Sequence, residues 1–577
     1  MRPRSAIACV LSFLMLAACQ PRQGAAPSGR QSTPASQAGG PPVHPMPLPV
    51  TVADWASGAT LLDGLGDFHR RVTTGSNDAQ RYFDQGMRLL WAFNHDESAR
   101  SFAKAAQIDP QCASCYWGVA LTVGPNYNLP MMAEPRARVA SEALALARKN
   151  AARATPVEQA LIAALASRYP DARPLDASTQ GPVLTAYADA MRRLATRFPD
   201  DLDVQTLFAE SVMNINAWKL WTPDGKPAPG TREIQATLER VMSRDPRHPG
   251  ANHYYVHTME ASPHPESALA AAGRLPGLMP AAGHLEHMPA HVLQRVGRYE
   301  EASEANRKGA AADEIYFTRV AALDYYPMMY TAHNYQFLAC SAAMQGRRAE
   351  TLDAVRNSRR VTADDILLAM PGFDWPLAEE YAALVRFGLW DQMLERRAPN
   401  PQFAATTGGY LYARGVALAA KGRLDEASQV AGALTALIAR LPADSAAGNN
   451  KARDVLGIGL SLVQARIAAA RHRPDDAIAL LGDAADREDR LAYNEPKDWF
   501  FPVRHLLGAQ LLEVGKPAAA EVVFREDLRR NPANGWALFG LATALERQHK
   551  AAEAARVQRQ FQEAWKLSDI TLSSSAF

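Results

Sequence analysis

Two histidine pairs with the same internal spacing stand 34 residues apart, His253-Tyr-Tyr-Val-His257 and His287-Met-Pro-Ala-His291. His284 precedes the second pair by three residues, and seven of the fourteen histidines fall between His253 and His333. Imidazole nitrogens are donors for Zn, Cu, Ni and Fe, and two histidines four residues apart share a helix face and can chelate through adjacent turns. Thirty-four residues is also the length of a helix–turn–helix unit that stacks on copies of itself. The spacing therefore predicts two His pairs on matching faces of neighbouring helices, lining a concave groove. Close-packed helices lie about 8–10 Å apart, within reach of side chains from both, so the four imidazoles could make one metal site or two.

Placed on the repeat, His253 and His287 take position 5 of the first helix, His257 and His291 position 9, Glu260 position 12, and His284 and His333 position 2. His284, His333 and Glu260 are then auxiliary ligands or outer partners. Met259, Met288, Met328 and Met329 lie near in sequence, and a thioether facing the groove would favour Cu(I). Ligand type leaves copper and zinc both open. Pro289 favours the first turn of a helix, and a helix starting there leaves His284 and His287 in the approach loop. Two other readings stand beside metal binding: an imidazole patch for a carboxylate-bearing peptide, and buried histidines held by structural hydrogen bonds.

Catalysis finds less support. His253-x-x-x-His257 lacks the Glu that follows the first His of a zinc-peptidase motif. Glu260 or Asp324 would serve as a base only beside a metal-bound water. No phosphate-cradling glycine loop is present, so no catalytic residue is assigned and the chain reads as a binding protein before an enzyme. Cys112-Ala-Ser-Cys115 follows Asp109-Pro110, where a new helix should begin; it is a disulfide candidate or a packed thiol pair. Cys340 is left unpaired and is expected to be buried. His95 is expected to pack, and His505 stands at position 5 of a distant repeat. Rings cluster at Trp218-Lys-Leu-Trp221, Tyr325-Tyr-Pro-Met-Met-Tyr330 and Trp499-Phe-Phe-Pro502, which suits core filling first and peptide or glycan binding second.

The elements that position these side chains follow from composition and repeats. Basic and acidic residues nearly balance, 62 against 60, so nothing points to nucleic acid. Ala, Leu, Glu and Arg dominate, as in an all-helical protein. Residues 501–534 carry Gly508, Gly515, Ala520, Phe524 and Pro532 at offsets that resemble the tetratricopeptide consensus, and Leu538, Ala542 and Ala554 mark the next unit. Tyr82, Gly86, Phe102, Ala105 and Asp109-Pro110 mark one near the start, with three more at Gly297-Arg-Tyr299, Gly422-Arg-Leu-Asp-Glu-Ala427 and Pro474-Asp-Asp-Ala477. The resemblance implies an all-α, tetratricopeptide-type α-solenoid over residues 76–570, interrupted near 216–230, 316–331 and 398–407. Such a stack binds protein or peptide partners on its concave face.

The N-terminus carries an address. Met1-Arg-Pro-Arg4, an apolar run too short to span a bilayer and Leu16-Ala-Ala-Cys19 resemble the leader and lipobox of bacterial lipoproteins. The resemblance implies a signal peptide over 1–18, acylation of Cys19, and, with Gln20 next, a lipid anchor in the bacterial outer membrane facing the periplasm. Residues 19–50 read as a flexible Pro/Gly/Ser-rich tether, 51–75 as a lead-in and 571–577 as a disordered tail. Ala92-Phe-Asn-His95-Asp-Glu, Asn252-His-Tyr-Tyr-Val-His257, His287-Met-Pro-Ala-His291, His333-Asn-Tyr, Asn494-Glu-Pro and Asn534-Gly-Trp-Ala-Leu-Phe-Gly540 resemble segments of a group of long bacterial tetratricopeptide lipoproteins. That resemblance supports the fold and the pairing of the His segments and brings no activity with it. The sequence thus reads as a periplasm-facing solenoid whose groove binds copper or zinc, with a metal-free scaffold for a protein or peptide as the alternative and a metal-dependent enzyme third.

Overall fold

In a computed structural model the described residues are 48–577, apart from 177, 322–325 and 371. The expected leader, Cys19, nearly all of the tether and Asp324 lie outside them. The described chain is a tetratricopeptide-type α-solenoid: helix follows helix from Asn77–Trp91 to Ala551–Ala564, and the only strands among the described residues are Ala446–Ala447 and Asn450–Lys451. Antiparallel pairs repeat along it, among them Asn77–Trp91 with His95–Ile108, Ala332–Met344 with Arg348–Arg360, Val503–Glu513 with Pro517–Arg530, and Gly535–Arg547 with Ala551–Ala564. No helix among the described residues is long and apolar enough to cross a membrane.

The same small-to-large fit builds the first and last repeats. Phe102 and Phe524 are fully buried. A Cβ on Gly86 or Gly118 would come within 2.6 or 2.5 Å of the Phe102 ring, and one on Gly508 or Gly540 within 2.2 Å of Phe524. Each ring therefore occupies the space that two glycines, one on each flanking helix, leave open, and adding a methyl group there overpacks the seam. The turn between paired helices needs a left-handed residue, which Gly297, Gly346, Gly422 and Gly515 supply. Phe93, His472 and His549 occupy the same turn position with φ of 57°, 57° and 60°. A side chain there costs on the order of 1 kcal/mol, and at Phe93 it places an aromatic ring beside the histidines.

The interruptions of the repeat do specific work. Residues 217–230 form a loop pinned by a Trp221–Pro227 bridge and by the Trp221 indole N–H donating to the Thr258 carbonyl at 2.7 Å. Tyr299–Arg319 is a long 21-residue helix, followed after the undescribed stretch by a π-helical turn, Pro327–Thr331, that leads into Ala332–Met344. Buried Asp313 ties that entry together by accepting from Tyr326 (2.8 Å), Thr331 (2.9 Å) and Asn334 (3.0 Å), and burial pushes its carboxyl up to about 7. The lead-in is ordered: Thr51 caps the short helix Val52–Trp55, and Trp55 is 1% exposed.

The tail differs from its expectation of disorder. Leu572 and Ser575 are buried, the Ser575 hydroxyl donates to the His505 carbonyl at 2.9 Å, and the Phe577 ring meets Trp536 edge-on at 5.7 Å. The apolar anchors Leu572 and Phe577 outweigh the polar run Ser573-Ser-Ser575 between them, and that run is what reads as disorder in the sequence.

Candidate metal centre

His253 and His257 stand one turn apart on Pro249–Met259, with ring centroids 4.9 Å apart. His284 and His287 lie on Gly283–His287 and His291 on Pro289–Arg295. Met288 between them is right-handed helical, its amide donating to the His284 carbonyl at 3.1 Å while its own carbonyl accepts from His291 at 3.3 Å. Pro289 opens the helix Pro289–Arg295 as its residue type favours, but the short helix Gly283–His287 runs directly into it, so His284 and His287 are helical, not in an approach loop. A proline suits this first position because the N–H it lacks would have no partner within the helix. His333 enters from the first turn of Ala332–Met344. Gly309 lets the long Tyr299–Arg319 helix approach the His-bearing helix, since a Cβ there would meet the His287 Cβ at 2.9 Å.

Six imidazoles come together, but not in an open groove. His253, His257, His284, His287 and His291 are each at most 1% exposed, and only His333 is half-buried. Aromatic and apolar side chains close over what the repeat register alone places on a concave face. Phe93 lies 4.4 Å from His253 and stacks on His257 and His284; Phe337 lies within 5.0 Å of His287, His291 and His333. Their donor atoms form two sets, His253/His257/His284 and His287/His291/His333, each within 4.8 Å; His257, Glu260 and His291 form a third set linking them. His284 and His333, expected as auxiliaries, are full members of their triads. Glu260 instead meets Nδ1 atoms: its Oε1 accepts from His257 at 3.0 Å and its Oε2 lies 2.6 Å from His291 Nδ1. Met259 and Met288 are buried in the apolar core.

The protons can be placed from the partners. The Asn306 amide donates to the Ala302 carbonyl at 2.8 Å, so its Oδ1 is the atom facing His287 Nδ1 at 2.6 Å, and that nitrogen carries a proton. The Trp91 carbonyl, left free at the end of its helix, requires a proton on His253 Nδ1 at 2.6 Å. The Glu260 carboxylate oxygen 2.6 Å from His291 Nδ1 favours a proton on that nitrogen by charge, without hydrogen-bond geometry between the two. In neutral rings Nε2 is then a lone pair. His287 Nε2 and His291 Nε2 lie 2.8 Å apart, two lone pairs head-on. His253 Nε2 faces His284 Nε2 at 3.1 Å, and whichever way His284 is protonated, one of its nitrogens is in conflict or its Nδ1 is a buried atom without a hydrogen-bond partner among the described residues. His257 Nε2 has none either, and His333 Nε2 points at His291 Nε2 from 3.5 Å.

Electrostatics keep protons away from these contacts. Burial, then the neighbouring imidazoles, hold His253, His284, His287 and His333 well below the ordinary histidine range, and burial lowers His291 despite Glu260. Burial opposes ionisation of Glu260, but His257 and His291 hold it below the carboxylate range. Glu495, from a loop of the C-terminal half, contacts His291 Nδ1; burial and the Glu260 charge raise it well above that range, so it is the protonated member of the pair. Nothing in the spacing of histidines points to Glu495, Phe93, Asn306 or Trp91. Phe93 and Glu495 do fall within the segments Ala92–Glu97 and Asn494–Pro496 singled out by resemblance.

The remaining candidates separate from the centre. Cys112 and Cys115 are joined as a disulfide at the start of Ala113–Thr122, with Cys112 capping the helix. Cys340 is half-buried rather than buried, with its thiol pushed up to about 12 by desolvation. His95 stacks on Phe93 at 5.3 Å outside both triads, and His505 pairs with Asp527.

No protein family matches the chain, and no curated protein does. Among solved structures it is similar to the APC/C heterotetramer Cut9–Hcn1, at 14% identity over 81% of this chain and 76% of that one, with a TM-score of 0.32. It is also similar to the human IFIT1 dimer with m7Gppp-AAAA (10%, 85% and 91%, TM-score 0.29) and to yeast Tom70 (11%, 85% and 93%, TM-score 0.27). At such identities and scores the assignment of the fold stands on the chain's own helix pairs.

Proposed function

We propose that this solenoid binds a transition metal, copper or zinc, in the buried histidine cluster, for sequestration, delivery or a metal-dependent contact with a partner. The observation that carries the reading is the head-on contact of His287 Nε2 and His291 Nε2 at 2.8 Å. Two buried lone pairs at that distance repel, and a shared cation converts the repulsion into two bonds. Imidazoles on one tetrahedral zinc at 2.0–2.1 Å lie about 3.4 Å apart, and the contacts here are 3.1, 2.8 and 3.5 Å. The Nδ1 anchors on a backbone carbonyl, an amide oxygen and a carboxylate are the outer partners that orient ligating histidines. All-nitrogen ligation by imidazole suits copper and zinc alike, so both ions are tested. The leader and Cys19 support an outer-membrane lipid anchor facing the periplasm, and a disulfide at Cys112–Cys115 suits that oxidising compartment.

The test is elemental analysis of the protein purified without affinity tag or chelator, beside His287→Gln/His291→Gln. Stoichiometric copper or zinc in wild type, diminished in the variant, is expected. No metal after addition of Cu(I) or Zn(II) would sink the reading. A scaffold for a protein or peptide partner is the second reading, and it rests on a cavity of about 730 Å³ lined by Trp221, Arg295, Tyr493, Lys497, Trp499 and Arg530. Metal-free protein that still captures a peptide through that cavity would favour it.

A further inference from the structure

Resting on the metal reading, we infer that the cluster is a two-ion centre whose ions are coupled through Glu260. His253, His257 and His284 hold one ion through Nε2, and His287, His291 and His333 hold the other. Each triad has its own unmet nitrogen: His287 and His291 set two lone pairs 2.8 Å apart, and at His253–His284, 3.1 Å apart, either the two Nε2 lone pairs face each other or His284 Nδ1 is left without a partner. The triads also have separate supports: the Trp91 carbonyl and Phe93 on one side, Asn306 and Phe337 on the other. Each is complete within 4.8 Å.

Glu260 is the carboxylate that touches both. Its two oxygens meet the Nδ1 atoms of His257 and His291, one ligand from each triad, which leaves both Nε2 atoms for metal. A carboxylate in that place fixes the tautomer and raises the basicity of the ligand, so one residue tunes both ions. Three protein donors leave each ion a coordination position for a small ligand such as water or hydroxide. The close aromatic rings restrict what reaches it.

The experiment is titration of the metal-free, full chain with Cu(I) and, separately, Zn(II), with metal counted after desalting. Two ions per chain are expected in wild type, and one in His253→Gln/His284→Gln and in His287→Gln/His333→Gln. Glu260→Gln should keep two ions, each bound about 10–100-fold more weakly. One ion in wild type, removed by either double variant, overturns the two-ion inference and leaves the metal reading intact; no ion overturns both. X-ray absorption on wild type needs no variant: three imidazoles per ion agrees with the inference, and four or more around a single ion overturns it.

Discussion

His287 and His505 occupy the same position of the first helix of their repeats, and both are buried, yet their surroundings differ in kind. Arg386 donates to His505 Nδ1 at 2.9 Å, and His505 Nε2–H donates to Asp527 at 2.9 Å. Asp527 also accepts from Asn531 at 3.0 Å and Asn534 at 2.9 Å. Burial opposes its charge, but His505 and Asn534 hold it below the usual carboxylate range. His248 repeats the pattern, accepting from the Ala251 amide at one nitrogen and meeting Asp203 at 3.1 Å with the other. In those places a neutral imidazole has one donor and one acceptor and needs nothing more. At the cluster the second nitrogen faces another imidazole, as at His287 and His291, or has no hydrogen-bond partner, as at His257 Nε2. Burial therefore does not separate a structural histidine from a ligand; the polarity of the second partner does.

The largest effect expected from breaking this contrast is on the satisfied side. Asp527→Ala leaves Arg386 and His505 buried without their anion and should cost about 3–5 kcal/mol in urea unfolding. The metal content should not change. If it falls, the two regions are not independent and the contrast fails.

Next in size is the response to metal. Free metal at 100 times Kd should stabilise the protein by about 2.7 kcal/mol for each occupied site. The shift in thermal melting should fall by about half in His287→Gln/His291→Gln, which disables one of the two triads, and survive in full in His505→Gln. Equal loss in both would mean that the metal binds elsewhere. Without metal the same chemistry predicts opposite signs. His287→Gln places an amide N–H against the His291 lone pair and should be neutral or stabilising by up to about 1 kcal/mol, whereas His505→Gln disrupts a satisfied pair and should destabilise by about 1–3 kcal/mol. Urea midpoints of the two metal-free variants decide it, and a matching loss in both would make the cluster an ordinary core.

Much of this was legible in the chain. The repeat fixes which side chains share a face, so the spacing of His253, His257, His287 and His291 was enough to bring them together, and Gly508 with Phe524 marked a seam that the structure shows filled. What the period could not carry were contacts between segments far apart in sequence. Trp91 reaches His253 across 162 residues, and Glu495 reaches His291 from the C-terminal half. Those contacts depend on how the solenoid curls, which no local spacing encodes, and they turn the expected groove into a closed cluster. The depth of burial was missed for the same reason.

The smallest effect concerns His95, which stacks on Phe93 at the edge of the first triad without joining it. Its Nδ1 meets the Phe93 carbonyl at 3.0 Å, and burial pulls its pKa down to about 4, with Asp96 working the other way. A histidine in the unfolded chain titrates near 6.5, so below that pH the unfolded state takes up a proton that the folded state refuses. The stability His95 contributes is therefore complete above about pH 6.5 and is lost as pH falls toward 4, at up to about 1.4 kcal/mol per pH unit. Between pH 7 and 5.5 that amounts to about 1 kcal/mol. Measured on metal-loaded protein, so that bound ions compete with protons at the triads, the pH dependence of urea unfolding should flatten by this amount in His95→Gln. An unchanged slope would mean that His95 takes up its proton as readily in the folded protein as in the unfolded chain, and that a ring stacked beside the cluster does not share its exclusion of protons.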